Sequence, residues 1–209
     1  MSRAQLAAKL MELAGTTYAE EAGITLRNKP TPLYRLLVLA TLLSTRIKAS
    51  IAVAAARELR EFGTPRTMRD ATWQQRVDAL GRGHYVRYDE STATALGKGA
   101  ELLLNDYRGD LRLLRERAAG DLANLRSRLT RFPRLGPVGA DIFCREAQQV
   151  WPELRPYVDA KALAGARAVG LPDRPKALAG LVDDADLARL SAALVRASLD
   201  RELAARVRG

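Results

Sequence analysis

Two short stretches of this chain combine residue types that can do chemistry. The first is Phe132-Pro-Arg-Leu-Gly-Pro-Val-Gly-Ala140. An apolar residue, a proline, a glycine-bearing turn and a run of small residues read as a helix, a hairpin and a second helix. Such a turn presents backbone N–H groups at a helix N-terminus, where the unpaired donors and the helix dipole attract a phosphate. The second is Tyr157-Val-Asp-Ala-Lys161, in which Asp159 follows Ala140 by nineteen residues. A carboxylate just before a helix either caps that helix or serves as a fixed anion and proton acceptor. Spacing leaves both roles open, and one residue can fill both.

The elements around these stretches read as helices. Residues 4–14 form a short amphipathic helix, followed by a loop with Gly15, Gly23, Pro30 and Pro32. Leu33 to Ser44 is apolar nearly all round, which predicts a central buried helix. Further helices are expected over Ala49–Phe62, Thr67–Leu80 and Ser91–Tyr107. Between the last two, Gly81 to Tyr88 is a glycine-flanked aromatic loop; its His84, Tyr85 and Tyr88 suit either stacking on a base or packing of an ordered turn. Leu122–Thr130 enters the hairpin and Gly139–Val150 leaves it. Prolines at 152 and 156 make Trp151–Pro156 a connection. Ala160–Val169 is helical, two short helices follow Pro172 and Pro175, and the last runs from Asp184 to Val207. No segment has a strand period, so the expected fold class is all-α, with about ten helices.

The 209 residues suffice for one or two small domains, and 47% hydrophobic content excludes a disordered chain. With 34 Lys+Arg against 24 Asp+Glu the net charge is +10, which fits a polyanionic partner or a solvated basic surface. Of the 34 cations 28 are arginine, which suits bidentate phosphate contacts. The one cysteine, Cys144, and the one histidine, His84, provide for no intramolecular disulfide, cysteine-ligated cluster or zinc site, so neither a metal nor a cofactor is expected. The first residues carry no apolar signal core and no run reaches membrane-spanning length, which predicts a cytoplasmic protein.

Three segments together resemble the helix–hairpin–helix DNA glycosylases of the endonuclease III superfamily. Pro32 to Arg46, with its Leu42-Leu-Ser44, resembles the family's buried helix. The resemblance puts Arg46 where the family places a polar residue that enters the DNA stack. Phe132 to Ala140 resembles the family's Leu-Pro-Gly-Val-Gly-x-Lys-Thr-Ala, with Gly136 and Ala140 matching and Arg134 in place of the first glycine. A non-glycine at positive φ costs about 1 kcal/mol or more, so Arg134 implies either an altered turn or an added phosphate contact. Val138 stands where bifunctional members carry their Schiff-base lysine, and valine has no nucleophile. Val158-Asp159-Ala160-Lys161 resembles the family's Val-Asp-Thr-His. The implied role of Asp159 is to activate water or stabilise cationic character at C1′.

What the resemblance implies is an all-α protein of two helical subdomains, 31–150 and 1–30 plus 151–209. It would be a monofunctional base-excision glycosylase acting on double-stranded DNA that contains a damaged base, as a monomer. Arg46, Arg134, Leu135, Gly136, Val138, Gly139, Lys98 and Lys161 would contact DNA. His84, Tyr85 and Tyr88 would be candidates for the base pocket. Two other readings are a non-catalytic DNA-binding or damage-sensing protein that retains the fold, and a basic helical protein-interaction module.

Overall fold

The computed structural model describes residues 1–209 and contains helices and loops without a strand. In chain order the helices begin with α1 (Arg3–Ala14), α2 (Tyr18–Glu21), α3 (Pro30–Leu43), α4 (Ala49–Glu58), α5 (Pro65–Asp70), α6 (Trp73–Arg82) and α7 (Asp89–Tyr107). There follow α8 (Leu111–Ala118), α9 (Leu122–Leu129), α10 (Gly136–Ala147), α11 (Ala160–Val169), α12 (Pro175–Ala179), α13 (Leu187–Leu199) and α14 (Arg201–Arg208). The chain forms two compact units, Ala19–Phe143 and Met1–Tyr18 with Cys144–Gly209.

In the unit 19–143, α3 is the central helix. Leu33, Tyr34, Leu36, Leu37, Val38, Leu39, Ala40, Thr41 and Leu42 are all buried, as the all-round apolar pattern predicts. The edges of this unit differ from the expected 31–150. Residues 19–30 belong to it because Ala19, Ala22, Ile24 and Leu26 are buried and Arg57 of α4 donates to the Glu21 carbonyl. The expected helix 67–80 is two. Thr72 opens α6 with a capping box to Gln75, and the buried Arg76 takes the carbonyls that end α5, at 2.9 Å from Met68 O and 2.6 Å from Ala71 O. A third bond, 2.8 Å to Ala93 O, ties the same guanidinium to α7.

In the unit 1–18 with 144–209, α11 lies against α13, with α1 and α14 on the same core. Gly165 makes the first contact possible, since a Cβ there would come within 1.7 Å of Leu194 O. The expected last helix, 184–207, breaks at Asp200. That residue caps α14 by accepting from the N–H groups of Glu202 and Leu203.

Candidate nucleic-acid interface

The hairpin starts where α9 ends and turns through Arg131 to Leu135 into α10. Phe132 and Leu135 are buried, and Pro133 is half-buried. Arg134 keeps the left-handed conformation that glycine would supply, at φ 65°, and Gly136 follows at φ 58°. Arginine thus takes a backbone conformation that glycine adopts freely, and carries its conformational cost.

At the start of α10 the amide of Gly139 is bonded to Leu135 O at 3.0 Å, while those of Gly136 and Val138 have no acceptor. The first turn of α10 contains no acid to neutralise them. Val138 is 61% exposed at this end of the helix. Leu135 folds its side chain over Gly139, so it can meet a ligand only through its backbone.

The loop after α3 packs on the hairpin. The Ser44 hydroxyl lies 2.7 Å from Thr41 O and 2.9 Å from Arg134 O, sharing one proton between them. Gly139 leaves room for this serine, because a Cβ at 139 would stand 3.2 Å from Ser44 Cβ. Two residues on, Arg46 is exposed, with neither a hydrogen bond nor an ion pair. The loop is also tied to the aromatic turn by a 2.7 Å hydrogen bond between Thr45 Oγ1 and Tyr85 OH.

The aromatic turn separates its three candidates. Tyr85 is fully buried, so it is a packing residue that offers no ring face to a base; its hydroxyl anchors the Arg46 loop. His84 is exposed at φ 61°, in the left-handed position that closes α6 while Tyr85 N–H bonds back to Leu80 O at 2.9 Å. Tyr88 is half-buried, and guanidinium carbons lie over its ring, Arg87 at 5.2 Å and Arg134 at 5.5 Å from the centroid. Arg134 Nη1 also donates to Ser91 Oγ at 3.0 Å. Lys98 is exposed on α7, seven residues and about two turns beyond Ser91.

Hairpin, Arg46 loop and aromatic turn thus belong to one unit and are joined by side-chain bonds. Sequence reasoning missed the joining residues Ser44, Thr45, Arg87 and Ser91. Ser44 stood inside the quoted Leu-Leu-Ser motif, but nothing in the chain pointed to its partner.

The chain matches no family model and no curated protein. Among solved structures it is similar to endonuclease III in a trapped covalent intermediate with DNA, an estranged-adenine complex. The TM-score is 0.51 at 14% identity, over 93% of this chain and 85% of that one. The fold is endonuclease III-like.

Asp159 belongs to the other unit. It caps α11, with Oδ1 accepting from Ala162 N–H at 2.8 Å. Its Oδ2 accepts from the Arg145 guanidinium, and both side chains are below a tenth exposed. The segment before it is fixed by Gln148, which accepts from Tyr157 N–H at 2.9 Å and donates to Tyr157 O at 2.9 Å. Lys161 is exposed on the first turn of α11.

Proposed function

We propose that this chain binds duplex DNA by its backbone and hydrolyses the N-glycosidic bond of a damaged base, without a lysine Schiff base. The observation that carries the DNA reading is the start of α10: two unpartnered amides, no acid in the first turn, and an endonuclease III-like fold around them. A backbone phosphate satisfies those donors and needs no particular sequence. Arg46 would enter the stack, and Lys98 and Lys161 would add phosphate contacts. Val138 offers no amine, so C1′ would be attacked by water with Asp159 as the fixed carboxylate.

A second reading keeps DNA binding and drops catalysis. It is favoured by the Arg145–Asp159 ion pair, which together with the cap occupies both carboxylate oxygens. One experiment separates the two. Excision from a panel of damaged duplexes is measured for the wild type and for Asp159→Asn, with binding read in the same samples. The first reading expects excision by the wild type that falls by about 10²–10⁴-fold in a variant that still binds. Binding with no excision by either protein establishes the second reading. Equal excision by both removes Asp159 from the chemistry.

A further inference from the structure

The first hairpin glycine position holds arginine at φ 65°. A left-handed arginine carries a conformational cost that its side-chain contacts can offset. The residue is held in three ways, two of them through its side chain. Its own backbone carbonyl lies 2.9 Å from Ser44 Oγ, its Nη1 donates to Ser91 Oγ at 3.0 Å, and its guanidinium lies over Tyr88. Ser91 in turn donates to Tyr88 O at 3.1 Å, which closes a small network around the ring.

A second cation shares the ring. Arg87 lies over Tyr88, and neither Arg87 nor Arg134 has a carboxylate partner. Some exposed arginines of this unit are paired, Arg82 with Glu58 and Glu61 and Arg131 with Asp106, whereas Arg46, like Arg87 and Arg134, is not. Two unpaired guanidiniums held on one tyrosine concentrate positive charge there, and a bound anion offsets it. Arginine forks match phosphate oxygens in a bidentate manner, and the stacking on Tyr88 orients the forks in advance.

We propose that Arg134 and Arg87, mounted on Tyr88, form a clamp for a DNA backbone phosphodiester next to the one taken by the amides of α10. The clamp rests on the DNA-binding reading above and adds to it a second phosphate site built from side chains. Exchanging glycine for arginine in the hairpin thus supplies a charged contact that backbone amides alone do not provide.

The test is fluorescence anisotropy on an intact duplex at several salt concentrations, with the wild type, Arg134→Gly, Arg87→Gln and Tyr88→Leu. Glycine adopts the left-handed turn freely, so Arg134→Gly is expected to melt no lower than the wild type. It should bind about tenfold more weakly, with a salt slope reduced by about one unit. Arg87→Gln should lower the slope similarly. Tyr88→Leu keeps both charges, so it should weaken binding while leaving the slope unchanged. Variants that bind with the wild-type affinity and slope overturn the clamp and leave the DNA reading standing. A wild type that shows no binding at about 50 mM salt overturns both.

Discussion

Asp159 shows how one carboxylate can be claimed twice. Its cap to Ala162 N–H is a local bond, but its other oxygen holds Arg145, almost wholly buried on α10. Asparagine caps a helix as well as aspartate does, yet Asp159→Asn leaves a buried guanidinium without its anion. Breaking a buried pair from one side costs about 3–5 kcal/mol, whereas replacing both partners is often close to neutral. Asp159→Asn is therefore expected to lower the urea midpoint strongly, and the double change with Arg145→Met to recover most of the loss. Equal midpoints for the single variant and the wild type would show that the pair contributes nothing. The double variant is also the better folded background for asking whether the carboxylate does chemistry.

At the scale of elements, α8 was not expected, and it depends on its first residue. Its buried positions are only Leu111, Leu114 and Ala118, a narrow stripe among arginines. Asp110 starts the helix by accepting from Arg112 N–H at 2.9 Å, and the Arg112 guanidinium reaches both its oxygens. Burial raises the Asp110 pKa, the hydrogen bonds and charge of Arg112 lower it, and the lowering prevails. A carboxyl with a depressed folded value stabilises fully above its unfolded value, about 3.9, and the contribution is lost as pH falls through the folded value. Asp110→Asn keeps the cap and loses the ion pair. It should therefore be less stable than the wild type at pH 6, and the gap should close below about pH 4. A gap constant from pH 6 to pH 2 would contradict this. In the other unit, Gly165→Ala drives a methyl into Leu194 O, which is backbone and cannot turn aside. Such overpacking costs about 1–3 kcal/mol or more, and α11 would have to move off α13. Calorimetry should show a clear drop in melting temperature, and an unchanged melt would mean that the two helices are not so closely opposed.

For the whole molecule, the governing quantity is the charge of +10, carried mostly by arginine. Much of it stands on the solvated surface, where isolated ion pairs contribute little to stability. If the protein covers about 4–6 phosphates, log K for duplex DNA should fall against log salt with a slope of about −4 to −5. Titrations between about 50 and 200 mM salt measure this directly. A slope near zero with measurable binding would point to contacts other than phosphate and would count against the hairpin as the anchor.

The sequence by itself determined what depends on near neighbours. The apolar circuit of 33–42 required a buried helix, prolines 152 and 156 required a break, and Asp before Ala160 supplied a cap. Phe132 to Ala140 was legible as a hairpin because turn chemistry is written in consecutive residues. Even the departure at Arg134 was visible, although only the structure showed that this arginine stands at positive φ. Tertiary structure decided the partners. Arg145 meets Asp159, Arg76 gathers carbonyls from α5 and α7, Ser44 reaches Arg134, and Tyr85 turns inward to Thr45 while Tyr88 carries two arginines. Each of these bonds joins segments whose approach is set by how helices pack. Periodicity tells which face of a helix is buried, but not which residue of a distant element that face will meet.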